Sequence, residues 1–118
     1  KFKNLSSHMT ESFQVGDLVF NLETQRITCQ SKDLTSEMEL TPLEFKLLVY
    51  MARNEGLALS RDDILRSVWG KATHVMDRSV DTYVASLRKK LGERGPYIKS
   101  VHGVGYRFET PSANKQAA

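Results

Sequence analysis

Between Leu40 and Glu44 the chain changes period. Upstream, short apolar alternations of period two run through Phe13 and Val15, through Leu18, Phe20 and Leu22, through Ile27 and Cys29, and into a segment ending at Met38 and Leu40. Polar turns such as Gly16-Asp17 separate them, and the pattern predicts a small four-stranded antiparallel sheet. From Thr41-Pro42-Leu43-Glu44 onward, apolar residues recur at helical spacing. A hydroxyl at the N-cap, Pro at N1 and Glu at N3 make a capping box with the favoured first residue. A sheet followed by helices in 118 residues is one α+β domain.

The first helix is expected to run through Phe45, Leu47, Leu48, Tyr50, Met51 and Ala52 and to stop near Asn54-Glu55-Gly56. Its apolar stripe is wide enough for a central core helix. Ser60-Arg61-Asp62-Asp63 opens a second helix, with Ile64, Leu65, Val68 and Trp69 on one face and Gly70 at its end. Only a tight link, Gly56 to Ser60, separates the two. After a loop at 71–76, a third helix spans 77–91 and is closed by Gly92. Its Val80, Val84, Leu87 and Leu91 fall within about 60° of one another, a narrow core stripe. Beyond Gly95-Pro96, two β-rich runs within 97–109 flank His102-Gly103-Val104-Gly105 and read as a β-hairpin. The folded domain is thus expected over 13–109. Residues 1–12, polar and aperiodic, read as a linker end or a cloning remnant containing Ser7-His8-Met9. Residues 110–118 read as a disordered tail.

Charge divides unevenly along this order. Residues 1–59 hold 6 Lys and Arg against 8 Asp and Glu, whereas residues 60–118 hold 11 against 6. The basic excess therefore lies wholly in the second half, as expected if one face meets a polyanion; a solvated basic surface is the plainer alternative. The single cysteine, Cys29, excludes an internal disulfide or a Cys-rich zinc site, and it points to a reducing compartment. The longest apolar run, Leu47 to Ala52, is far short of the ~20 residues that span a bilayer. No apolar leader core appears in residues 1–12, so a cytoplasmic location without membrane partners is expected.

With the core stripe of the third helix turned inward, its opposite face carries Arg78, Thr82, Ala85 and Lys89, with Ser86 to one side and Asp81 and Arg88 toward the other. Small side chains in the middle let a helix sit deep in a major groove, and cations at both ends can neutralise phosphates on the groove walls. A second helix, a connecting loop, this third helix and a two-stranded ribbon have the order of a winged helix-turn-helix.

The run from Phe13 to Phe108 resembles the winged-helix effector domain of OmpR/PhoB-type response regulators, the DNA-binding half of two-component transcription factors. The resemblance rests on Leu40-Thr41-Pro42-Leu43-Glu44-Phe45-Lys46-Leu47-Leu48, on Ser60-Arg61 through Val68-Trp69-Gly70, and on Asp77-Arg78-Ser79-Val80-Asp81. It continues through Leu87-Arg88-Lys89-Lys90-Leu91 and Gly103-Val104-Gly105-Tyr106-Arg107-Phe108. It implies a four-stranded N-terminal sheet, a three-helix bundle, and a C-terminal β-hairpin wing that pairs with a strand between helices one and two. It further implies double-stranded DNA as partner, bound as a dimer, with the third helix in the major groove and the wing in the minor groove.

Phosphate contacts are implied for Trp69, Arg78, Tyr83, Arg88, Lys89 and Gly103. Base or groove contacts are implied for Asp81, Thr82, Ala85, Ser86, Ser100 and His102. Plainer roles stand beside these: Asp81 as a charge favoured by the helix dipole, Tyr83 and Trp69 as packing residues, and Gly103 and Gly105 as turn residues or points of close approach to a phosphate. Ala85 and Ser86 stand where relatives often carry long polar side chains. At the wing tip His102 replaces a frequent Arg, and a histidine is neutral much of the time near pH 7. The loop residues Lys71, Ala72, Thr73, His74 and Val75 match a segment that contacts RNA polymerase in activators. The phosphoacceptor belongs, in that family, to a preceding receiver domain.

Catalysis finds little support. The histidines at 8, 74 and 102 show no metal-ligand spacing, and no Gly-rich loop precedes a helix. No metal, cofactor or enzymatic activity is expected. A winged helix used only for protein contacts is the second alternative. It calls for an apolar exposed face on the third helix, where this sequence places cations.

Overall fold

The computed structural model describes residues 12–30, 35–70 and 77–111, with backbone alone at Gln30, Thr35, Ser36, Asp77 and Arg78. Its first layer is an antiparallel meander of β1 (Ser12–Val15), β2 (Leu18–Asn21), β3 (Arg26–Gln30) and β4 (Thr35–Met38), in that spatial order. Register aligns Phe13 with Phe20, Phe20 with Ile27, and Ile27 with Met38. One face of the sheet is therefore a continuous apolar row, as the period-two pattern requires. Leu22 falls outside the expected strand. The Asn21 side chain accepts from the backbone N–H groups of Glu23 and Thr24, both at 3.0 Å, and this local turn ends β2 one residue earlier.

Helix α1 (Pro42–Arg53) begins with the capping box intact. The Thr41 hydroxyl accepts from the Glu44 N–H at 3.2 Å, and Glu44 Oε1 accepts from the Thr41 N–H at 2.9 Å. The link after α1 contains a strand, β5 (Ala58–Ser60), whose last residue also caps the next helix by accepting from the Asp63 N–H. That helix differs from the even pattern expected of it. After α2 (Arg61–Ile64) the chain widens into a π turn, Leu65–Trp69, closed by the Gly70 N–H on the Leu65 carbonyl at 3.2 Å. Ile64 and Val68 are buried, whereas Leu65 and Trp69 are only partly so.

Helix α3 (Asp77–Leu91) buries Val80, Val84, Leu87 and Leu91, the expected stripe. A 3-10 segment, Gly92–Tyr97, leads into β6 (Ile98–Val101) and β7 (Gly105–Phe108). The second sheet has the order β5-β7-β6. Its hairpin turn uses Gly103 at φ 78°, in open space. Gly105 serves a different purpose from the phosphate approach considered for it. A Cβ there would lie 2.2 Å from the Leu59 carbonyl oxygen, so the close approach is to β5 of the same chain.

One core joins both sheets to the helices, with Phe20, Ile27, Leu47, Leu48, Met51, Ile64, Ile98 and Phe108 among its buried members. The first sheet is also tied on by Asp17, which accepts from Arg94 Nε at 2.7 Å and from the Tyr97 hydroxyl at 2.9 Å. Thr110, expected to begin the tail, belongs to the folded domain. It is 1% exposed, and its N–H and hydroxyl both donate to Glu55 Oε2, at 2.9 and 2.8 Å. Among the described residues no helix is long and apolar enough to cross a membrane.

Candidate nucleic-acid interface

Helix α3 presents Thr82, Ala85 and Lys89 to solvent, at the i, i+3, i+7 spacing that keeps one face together. Arg78 lies one turn before Thr82 in the helix; its side chain falls outside the described residues, as do Lys71, Ala72, Thr73, His74 and Val75. At the hairpin tip His102, Gly103 and Val104 are exposed, and so is Ser100 on β6. Among the described residues this helix face is a surface that carries a small apolar residue, a hydroxyl and the Lys89 cation.

What holds this surface in place is a set of polar ties that sequence spacing left unread. The first is at Asp81, whose Oδ1 accepts from Arg61 Nε at 2.8 Å and from the Tyr106 hydroxyl at 2.5 Å. Arg61 opens α2 and Tyr106 sits on β7, so one carboxylate joins three elements. The Tyr106 hydroxyl, with Arg61 adding to it against partial burial, holds the Asp81 carboxyl below its ordinary value. Burial and the same bond push the Tyr106 hydroxyl up.

The second tie runs from α1 to α3. Glu44, 5% exposed, accepts from Lys90 Nζ at 2.7 Å on Oε1 and from the Ser86 hydroxyl at 2.7 Å on Oε2. Burial would raise this carboxyl, but donation from Lys90, Ser86 and the Thr41 N–H outweighs it and lowers the group to about 2. Ser86, assigned to base or groove contact by resemblance, thus has its hydroxyl turned toward α1.

Arg88 makes the third tie. Its Nε and one Nη donate to the Ile98 carbonyl at 3.1 and 2.8 Å, and that Nη also donates to Ser100 Oγ at 3.1 Å. Both Arg88 and Arg61 stand 5.5 Å from the centre of the Tyr106 ring, within cation–π range. A fourth contact is apolar: Trp69 and Tyr83 meet edge to face at 5.1 Å between ring centres, so the π turn places the indole against α3. Of the expected site residues, then, Thr82, Ala85 and Lys89 share the helix surface and His102 and Gly103 the wing tip. Asp81, Ser86, Arg88 and Ser100 are engaged within the chain, and Trp69 and Tyr83 pack on each other.

Among the described residues no group of three or more His, Cys, Asp or Glu could hold a metal ion. Cys29 is buried, and burial, opposed by Arg94, pushes its thiol up, away from the reactive thiolate.

Comparison with known proteins identifies the family and the fold. The family model described as "Transcriptional regulatory protein, C terminal" matches residues 35–108. The alkaline phosphatase synthesis transcriptional regulatory protein PhoP of Bacillus subtilis is 40% identical over 83 residues, covering 68% of this chain and 35% of PhoP. The phosphate regulon transcriptional regulatory protein PhoB of Pseudomonas aeruginosa is 35% identical over 100 residues, covering 84% of this chain and 42% of PhoB. The chain thus spans well under half the length of these relatives. Among solved structures, the DNA-binding domain of Klebsiella pneumoniae RstA in complex with the RstA box superposes with a TM-score of 0.70 at 29% identity, over 84% of this chain and 97% of that one.

Proposed function

The chain belongs to the family of C-terminal domains of transcriptional regulatory proteins, and from that membership we propose that it binds double-stranded DNA sequence-specifically, α3 in the major groove and the β6–β7 wing in the adjacent minor groove. The observation that carries this reading is the solvent face of α3. Thr82, Ala85 and Lys89 leave it free of bulk at the centre and cationic toward one end, which is what entry into the major groove demands. Thr82 and Ala85 are placed to meet base edges, the threonine methyl suiting a thymine methyl. Lys89, Arg78, Gly103 and the Trp69–Tyr83 pair are assigned to the sugar–phosphate rails, and His102 to the wing groove.

The domain acts by binding rather than catalysis, as the output half of a two-component response regulator. A receiver domain in the remainder of the longer protein supplies its switch, and residues 71–75 are assigned to RNA polymerase. Two copies on half-sites about one helical turn apart form the working unit, since one small module seldom supplies enough discrimination.

A titration against duplex DNA over a salt series tests the proposal. If about five phosphates are neutralised, log K falls against log salt with a slope of roughly −4 to −5. A module used only for protein contacts gives no duplex binding. That alternative finds little support on α3, because the large exposed apolar residues described, Leu57 and Val104, lie elsewhere.

A further inference from the structure

Asp81 and Arg88 stand two helical turns apart on the flank of α3 that faces the wing, and both meet Tyr106, Asp81 at its hydroxyl and Arg88 over its ring. Asp81 Oδ1 is shared by Arg61 and the Tyr106 hydroxyl; Arg88 spans the Ile98 carbonyl and Ser100 Oγ. The guanidinium groups of Arg61 and Arg88 are equidistant from the ring, at 5.5 Å. Ile98 and Tyr106 are both buried, at 1% and 6% exposure. Swinging Arg88 away would leave the Ile98 carbonyl without its guanidinium partner, and turning Asp81 away would take the acceptor from the hydroxyl of buried Tyr106 and part it from the half-exposed Arg61. A buried polar group resists such abandonment. Lys89, one residue away and exposed, makes no such tie among the described residues and can meet a phosphate.

We infer that Asp81, Arg88 and Tyr106 are positioning residues, forming a strut that fixes the angle at which the wing leaves α3. The inference rests on the duplex-binding reading above and deepens it. When α3 is seated in the major groove, the strut decides whether the hairpin tip arrives over the neighbouring minor groove. Discrimination between sequences therefore depends on it, while the count of neutralised phosphates does not.

The test uses the 118-residue chain and two duplexes: one recovered from a random pool by selection on the unaltered chain, and a scramble of it. Tyr106→Phe keeps the ring and removes the donor. Arg88→Lys keeps the charge and removes the planar fork, and Arg88→Gln removes the charge as well. Tyr106→Phe and Arg88→Lys are each expected to lower the selected-to-scrambled affinity ratio about tenfold. All three variants are expected to keep the parental salt slope, because a lost phosphate contact would reduce its magnitude by about 0.9.

A slope reduced by about 0.9 in Arg88→Gln, or an unchanged ratio in Arg88→Lys, makes Arg88 a phosphate ligand and overturns the strut. So does an equal loss on both duplexes that tracks the fall in melting temperature, which is the mark of a purely structural role. Duplex binding by the unaltered chain with variants that discriminate as well as it does removes the strut alone. Absence of binding by the unaltered chain removes the functional reading and the strut with it.

Discussion

The two sheets of this domain are built from strands of similar length but by different means. The first joins consecutive strands in a meander, β1-β2-β3-β4, so each pairing closes over a short turn. The second places β7 between β5 and β6, pairing Ala58 with Arg107, Leu59 with Tyr106 and Ser60 with Gly105. Its strands therefore belong to different stretches of the chain, and β5 runs directly into α2 through Ser60. The first sheet is fastened to the rest by its apolar face and by the Asp17 tie to Arg94 and Tyr97. The second is interleaved with the helices, and it alone carries the Tyr106 hydroxyl and the Ile98 carbonyl that α3 holds. Disturbing the wing sheet should move the binding surface, whereas disturbing the meander should cost stability and leave recognition intact.

The harshest way to break that contrast is Gly105→Ala. The added Cβ would stand 2.2 Å from the Leu59 carbonyl oxygen and 3.1 Å from the Arg61 nitrogen, backbone atoms that yield only if β5 separates from β7. We expect a loss of about 3 kcal/mol or more, seen in denaturant melts, together with loss of duplex binding. Gly103→Ala is the control. Its Cβ meets nothing within 4 Å, so only the positive φ is strained, at about 1–2 kcal/mol.

Glu44→Gln comes next. The carboxyl is lowered from the ordinary 4.5 to about 2, so its contribution is present above pH 4.5 and is lost as pH falls from there toward 2. A lowering of that size corresponds to about 3–4 kcal/mol at pH 7, discounted to about 2 because Lys90 is 37% exposed. Melts of the parent chain should weaken steeply across that acid window, while those of the variant start lower and change less. A parallel acid profile in both would remove Glu44 as the origin of the effect.

How far the sequence disclosed this arrangement depends on the range of the interaction concerned. The capping box was legible because Thr41 and Glu44 satisfy each other within one turn, and the buried stripe of α3 because its period is a property of the helix alone. The surface at Thr82, Ala85 and Lys89 followed from the same period. β5 was not legible from its residues: Ala58, Leu59 and Ser60 carry no alternation long enough to signal a strand, and β7 makes them one. The bulk of Trp69 in an apolar pattern likewise gave no warning of a π turn. At the site, Ser86 could be placed on one flank of α3 and Asp81 and Arg88 on the other, but not matched to Glu44, Tyr106 and Ile98. A polar side chain beside a helix face reads the same whether it awaits a ligand or already holds a neighbour, and only the packing of distant elements distinguishes the two.

The mildest prediction sharpens the contrast by making one substitution in both sheets' supports. Tyr97→Phe removes a hydroxyl that donates to Asp17, just as Tyr106→Phe removes one that donates to Asp81. Tyr97 secures the meander, so its loss should cost about 1 kcal/mol at pH 7 and leave discrimination between duplexes as it was. Burial and the Asp17 carboxylate push the Tyr97 hydroxyl from 10 up to about 12. A raised folded value means that the unfolded chain loses this proton first, so the contribution is complete below pH 10 and disappears between 10 and 12. Removing the hydroxyl should flatten the alkaline decline of the melting temperature in that interval. Tyr106, also raised, keeps a share of the decline in the Tyr97 variant. Should Tyr97→Phe alter duplex discrimination as much as Tyr106→Phe does, the two sheets are not separable in function, and the meander must be counted as part of the recognition machinery.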